Sequence, residues 1–168
     1  MHFDQKYQAL MQEAQRHQLP GLDDIHLCFQ VLTLAAAIDR DCARQLAPHG
    51  LSEGRFVMLF LLDAAPAGLA PRELAERAGV TRATVTGLLD GLEHASLVER
   101  QADVQDRRTL RIVLTHQGRQ LTRQLFEQHG RWIAGLFCNL SQQERSQLAL
   151  LLDKAATHLN TATPRTAA

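Results

Sequence analysis

The chain has 168 residues, 45% of them apolar and 21% charged, with 18 Lys and Arg set against 18 Asp and Glu. That length supports one well-buried domain, or a small domain with a dimerisation element, and excludes two independent enzymes. The composition excludes a disordered chain, and the cancelled charge excludes a polyanionic partner recruited by bulk positive charge alone.

Residues 1–21 are polar with a weak helical pattern in Phe3, Tyr7, Leu10 and Met11, ended by Pro20 and Gly21; a short helix or a loose arm is expected. From Leu22 to Leu46 the apolar positions, among them Ile25, Leu27, Val31, Leu34, Ile38 and Cys42, cover more than one stripe at helical spacing. Such a helix is buried between partners, which a second copy of the chain supplies most easily. Pro48-His49-Gly50 ends it. Ser52 then caps a helix through RFVMLFLLDAA, with Leu51 and Phe56 placed as a hydrophobic staple.

Pro71 suits the first turn of the next helix, and Gly79 closes it. Thr81 caps a further helix that turns Val85, Leu88, Leu89 and Leu92 inward and presents Arg82, Thr86 and Asp90 outward. The period then switches to two: residues 97–100 and 110–114 read as strands joined by ADVQDRRT. Thr115 caps a long helix carrying Leu121, Leu125, Phe126, Trp132 and Ile133. Ser141 and Glu144 form a capping box that opens the last one, with Leu148, Leu151, Leu152, Ala155 and Leu159 expected inward. The tail from Thr161 to Ala168 is expected to be disordered.

No apolar run is long enough to span a bilayer, and the opening MHFDQKYQALMQ lacks the pattern of a signal peptide, so a cytoplasmic location is expected. Cys28, Cys42 and Cys138 are far apart and in no metal-ligand spacing, which suits a reducing compartment. The eight histidines include no H-E-x-x-H pair, and neither a phosphate-cradling glycine loop nor a G-x-S-x-G elbow is present. No enzyme, cofactor or metal site is expected.

A helix, a tight turn, a second helix and a charged hairpin in that order form a reader of duplex DNA: the second helix enters the major groove and the hairpin reaches the minor groove. Within residues 70–116 the arginines 72, 77, 82, 100, 107, 108 and 111 are matched by Glu73, Glu76, Asp90, Glu93, Glu99, Asp103 and Asp106. Binding must therefore rest on where the arginines point. A winged helix that acts as a protein-interaction adaptor is the rival from another class, and the neutral reader is its support.

The run PRELAERAGVTRATVTGLLDGLEHASLVER, followed by DRRTLRIVLTHQGRQL with Asp106-x-Arg108 and Leu114-Thr115-x-x-Gly118, resembles the MarR family of transcriptional regulators over roughly residues 22–160. The resemblance implies a mainly α, α+β winged-helix fold: one six-helix domain over 1–168, with a β-hairpin wing, the reader at about 51–115, and N- and C-terminal dimerisation helices at about 22–48 and 116–160. It implies a homodimer on a pseudo-palindromic operator, acting as a repressor released by a small molecule such as an aromatic acid. Carried over by position, Thr81, Arg82, Thr84 and Thr86 occupy the recognition surface, Arg108 enters the minor groove, Asp106 aims it, and Arg107 meets phosphate.

Two departures accompany the match. Gly87 stands where relatives carry a contact residue, implying fewer base contacts, and Ser96 replaces a glycine, implying a strained turn into the wing. The family's effector site would draw on His26, Gln30, Arg55, Phe56 and Met58. Cys28 in HLCF resembles the peroxide-sensing cysteine of one branch, which makes thiol-based redox sensing an alternative; Leu32 and Cys42 stand where that branch has tyrosines.

Overall fold

The computed structural model describes the backbone of residues 4–102 and 110–161, and side chains through Thr157. The chain forms two compact units that divide between Thr122 and Arg123.

In the first unit, α1 (Gln5–Arg16) and α2 (Leu22–Leu46) form a helical hairpin. The N-terminal segment is thus a 12-residue helix rather than a loose arm. It is held to α2 by the stack of Tyr7 on Phe29, with ring centroids 4.9 Å apart, and by Arg40 reaching Asp4. Gly21, at φ +73°, takes the left-handed conformation that starts α2 without a side-chain cap. A 3-10 turn at Ala47–His49 leads to α3 (Glu53–Asp63), where the Ser52 hydroxyl accepts a hydrogen bond from the Arg55 amide at 3.4 Å. Leu51 and Phe56 are both buried, as the staple requires.

Next come α4 (Pro71–Ala78) and α5 (Arg82–His94), then the antiparallel strands β1 (Val98–Ala102) and β2 (Leu110–Leu114), paired from Val98 with Leu114 to Ala102 with Leu110. Ala70 has no side chain to cap α4, so Glu73 reaches back and accepts from the Ala70 amide at 2.7 Å. Leu69 bridges Ile112 from outside the hairpin and ties the wing to the reader. Leu46, Met58, Leu59, Leu62, Leu74, Val85, Leu89, Leu92 and Ile112 are each at most 2% exposed. Side chains from α2 to β2 thus make up one core that fixes α5 against its supports.

α6 (His116–Gly135) begins in the first unit and continues into the second, which also holds α7 (Gln142–Thr161). The Ser141–Glu144 capping box forms as the sequence predicts: Glu144 accepts from the Ser141 amide and hydroxyl at 2.7 Å, and Ser141 accepts from the Glu144 amide at 3.3 Å. These bonds hold the Glu144 carboxyl below its ordinary pKa, the side-chain bond contributing most.

The sequence reading of α7 is corrected in one respect. Leu151 and Leu152, expected inward, are 56% and 47% exposed, and Leu150 is 70% exposed. All three leucines of this helix are thus exposed rather than buried. On α2, Leu27, Val31, Leu32 and Leu34 are likewise between 42% and 59% exposed. No helix among the described residues is long and apolar enough to cross a membrane. The tail beyond Thr161 lies outside the described residues.

Candidate nucleic-acid interface

The α4–turn–α5 unit is built by two local devices. Gly79, at φ +66°, closes α4 in the left-handed conformation that a side chain resists. Thr81 then caps α5: its hydroxyl oxygen accepts from the Thr84 amide at 3.2 Å and lies 2.9 Å from the Thr84 hydroxyl. Val85, Leu89 and Leu92 fasten one side of α5 to the core, which leaves Arg82, Thr84, Thr86 and Asp90 on the exposed side. Thr86 donates its hydroxyl proton to the Arg82 carbonyl at 3.1 Å, so its free lone pairs and methyl face outward.

The turn after α5 is a Schellman motif. Leu97 donates its amide to Leu92 and Ser96 to Glu93, both at 2.9 Å, while Leu92 and Leu97 are buried together. Ser96 sits at φ +58° in the position that favours glycine, so the strain implied by the sequence is present. Thr115 completes the base of the wing. Its hydroxyl donates to the Ser96 carbonyl at 2.7 Å and accepts from the Gly118 amide at 3.0 Å, and its amide donates to Leu97 at 3.1 Å. Gly118 is obligatory: a Cβ there would stand 2.9 Å from the Leu97 carbonyl carbon and closer still to its oxygen. The Leu114-Thr115-x-x-Gly118 spacing is therefore a hinge-free joint between helix and wing.

The neutral charge of the reader resolves into two sets of arginines. Arg72 pairs with Glu76 at 2.9 Å, which raises the pKa of its guanidinium still further. Arg100 of β1 bonds Asp90 and lies 3.1 Å from Glu93, covering both acids of the recognition helix with one cation. Arg111 donates to the Gly68 carbonyl at 2.8 Å and lies 4.0 Å from Glu73. By contrast Arg77 and Arg82 are exposed and make no ion pair among the described residues. Glu73, Glu76, Asp90 and Glu93 are thus answered internally, and Arg82 faces solvent from the first turn of α5. Asp106, Arg107 and Arg108 lie outside the described residues.

The five residues expected to form an effector site do not share one environment. Phe56 and Met58 are 8% and 1% exposed within the core. His26 is exposed and Gln30 half-buried on α2, while Arg55 is turned toward Gly91 of α5. A cavity of about 230 Å³ lies between α3 and the helix–turn–helix, and of the five Met58 lines it, together with Glu53, Val57, Ala78 and Val80. Cys28 is exposed on α2. Cys42 is buried, and burial first, then Glu53, Asp39 and Asp41, push its thiol pKa up, so it stays protonated. Sequence reasoning missed Arg100 as the partner of Asp90 and Glu93, because the pairing crosses from strand to helix. It also missed the seat of Arg55; a glycine in mid-helix at position 91 was its signal.

A capped recognition helix, its supporting helix and an antiparallel hairpin pinned at its base define a winged helix-turn-helix protein. The chain belongs to the MarR family, whose model matches residues 51–110. The HTH-type transcriptional repressor YetL of Bacillus subtilis is 32% identical over 148 residues, covering 88% of this chain and 89% of that protein. The Mycobacterium tuberculosis MarR-family protein Rv2887, solved in complex with salicylic acid, is 29% identical with a TM-score of 0.57, over 77% of this chain and 95% of that one. The S. aureus MepR–DNA complex shares the fold, with a TM-score of 0.67 at 24% identity over 78% and 96% of the two chains. The family's members are transcriptional regulators, not enzymes.

Proposed function

We propose that this chain is a homodimeric repressor that binds an inverted-repeat operator and is released by a small aromatic acid. One observation carries the DNA reading: Arg82, on the exposed first turn of α5, makes no ion pair among the described residues, while Arg100 neutralises Asp90 and Glu93. A guanidinium so placed donates bidentately to a guanine edge, with Thr86 one turn along the same face and Thr84 on the other exposed flank for phosphate or a thymine methyl. At the wing tip, Arg108 enters the minor groove, Asp106 holds it in aim and Arg107 meets phosphate.

Dimerisation is supported by the apolar residues that the single chain leaves uncovered, Leu27, Val31 and Leu34 on α2 and Leu150, Leu151 and Leu152 on α7. Pairing two readers sets their separation near one turn of B-form DNA, so each reads one half-site. Release follows if an aromatic acid prefers a dimer whose readers are spaced wrongly for the groove. The salicylic acid complex of Rv2887 supports that ligand class.

Fluorescence anisotropy with duplex from upstream of the chain's own coding sequence tests the reading. Saturable binding that is lost in Arg82→Ala and weakened by salicylate is expected. Equal binding by Arg82→Ala would overturn the recognition-helix assignment, and indifference to salicylate would overturn the ligand class.

A further inference from the structure

The recognition helix is flanked by two arginines held in different ways. On the wing side Arg100 is engaged by Asp90 and Glu93. On the opposite flank Arg55, from the first turn of α3, lies directly on Gly91: a Cβ at that position would stand 2.5 Å from Arg55 Cζ and 2.8 Å from Nε. The absence of a side chain at Gly91 is what seats the guanidinium there. Arg55 is half-buried, its guanidinium donates to the Gly50 carbonyl at 3.4 Å, and no carboxylate pairs with it among the described residues. An arginine carries five N–H donors in a planar fork. Most of these donors have no acceptor among the described residues, on a cation already seated against Gly91.

The surroundings say which anion fits. Helical spacing puts Gly91 one turn beyond Gly87 and two beyond Thr84, on the flank of α5 that faces away from Arg82. Gly87 is exposed, with nothing within 4 Å of where its Cβ would be. The helix surface at Gly87, beside the seated guanidinium, is therefore open, and a bulky polymer backbone can approach it closely. Arginine matches a phosphate bidentately, which lysine does not.

We infer that Arg55, seated on Gly91, binds a DNA backbone phosphate beside the recognition helix, setting its depth in the groove without reading sequence. This inference rests on the DNA-binding reading above. It assigns Arg55 to the nucleic acid, not to a carboxylate effector.

Counterion release sets the expected size: one phosphate contact contributes a slope of about −0.9 in log K against log salt, hence about fivefold in affinity at 0.15 M salt and about thirtyfold for two subunits. Anisotropy would be recorded from 0.05 to 0.3 M KCl (a range in which one contact is readily resolved, ~0.9 in slope) on the upstream duplex and on a scrambled duplex of equal length. Arg55→Gln is expected to flatten the slope by about 1.8 per dimer and to weaken both duplexes alike. Arg55→Lys should restore the slope, and Gly91→Ala, which unseats the guanidinium, should act in the same direction as Arg55→Gln. Circular dichroism and thermal melting establish that each variant is folded.

An unchanged slope in folded Arg55→Gln, with Arg82→Ala still defective, would overturn the inference and leave the DNA reading standing. Loss of affinity with no change of slope would mark Arg55 as packing only and overturn it equally. Loss of salicylate binding with the salt slope intact would place Arg55 in an effector site, again against the inference. If the wild-type chain binds neither duplex, it is the DNA reading itself that fails.

Discussion

Gly118→Ala tests the joint between wing and helix. The added methyl would meet the Leu97 carbonyl group, 2.9 Å from its carbon and 3.3 Å from the Leu97 Cα, so backbone must move because no flexible side chain can yield. Overpacking against a fixed neighbour costs roughly 1 to 3 kcal/mol, and a backbone neighbour belongs at the top of that range. The displacement also weakens the bonds that Leu97 accepts from Thr115 at 3.1 Å and that Ser96 accepts at 2.7 Å, each worth about 1 kcal/mol net. Replacing a helical glycine by alanine returns about 1 kcal/mol. The expected loss is therefore about 3 kcal/mol, or a fall of about 6 to 12 °C in Tm for a chain of this length. Thermal and urea denaturation followed by circular dichroism measure it. A Tm within about 2 °C of wild type, less than 1 kcal/mol on the same scale, would refute the steric reasoning.

Ser96→Gly removes a left-handed penalty of roughly 1 to 2 kcal/mol but loosens the unfolded chain by about 0.4 to 1, so a gain of about 0.5 to 1 kcal/mol is expected in the same melts. A loss of stability there would show that the turn is not strained. Arg100→Leu removes a partly exposed ion-pair group, costing under about 1 kcal/mol of stability. It also turns Asp90 and Glu93 bare toward DNA, so affinity by anisotropy should fall about tenfold or more; unchanged affinity would show that neutralising these acids is immaterial. Hydrogen bonds from Ser141 lower the Glu144 pKa in the folded state, so their stabilisation is full above the ordinary carboxylate range and is lost as pH falls through it. Glu144→Gln should accordingly flatten the fall in Tm with acid, and an identical pH profile would contradict the linkage.

The parts of the fold governed by local chemistry were legible in the sequence. Ser52, Thr81 and Ser141 cap where a hydroxyl precedes an apolar period, and Gly79 ends α4 as a left-handed glycine does. The outward placement of Arg82, Thr86 and Asp90 on α5 followed from the same helical period. Pairings between distant elements were not legible, because nothing in the spacing of Arg100 announces Asp90 or Glu93, nor that of Arg55 the bare backbone of Gly91. The burial of α7 was misread for a related reason. Leu151 and Leu152 follow an inward period, yet periodicity marks which side is apolar and not what covers it, and both are about half exposed. The net charge of the reader was equally opaque, since a count of seven against seven hides the acids that Arg72, Arg100 and Arg111 answer.

Hydroxyl-radical footprinting of the wild-type protein on the upstream duplex bears most directly on the pairing of two readers. Two equivalent protected patches are expected, related by a two-fold axis and centred about one helical turn (roughly 10 base pairs) apart, with both lost in Arg82→Ala. A single patch, or protection that persists in Arg82→Ala, would contradict it.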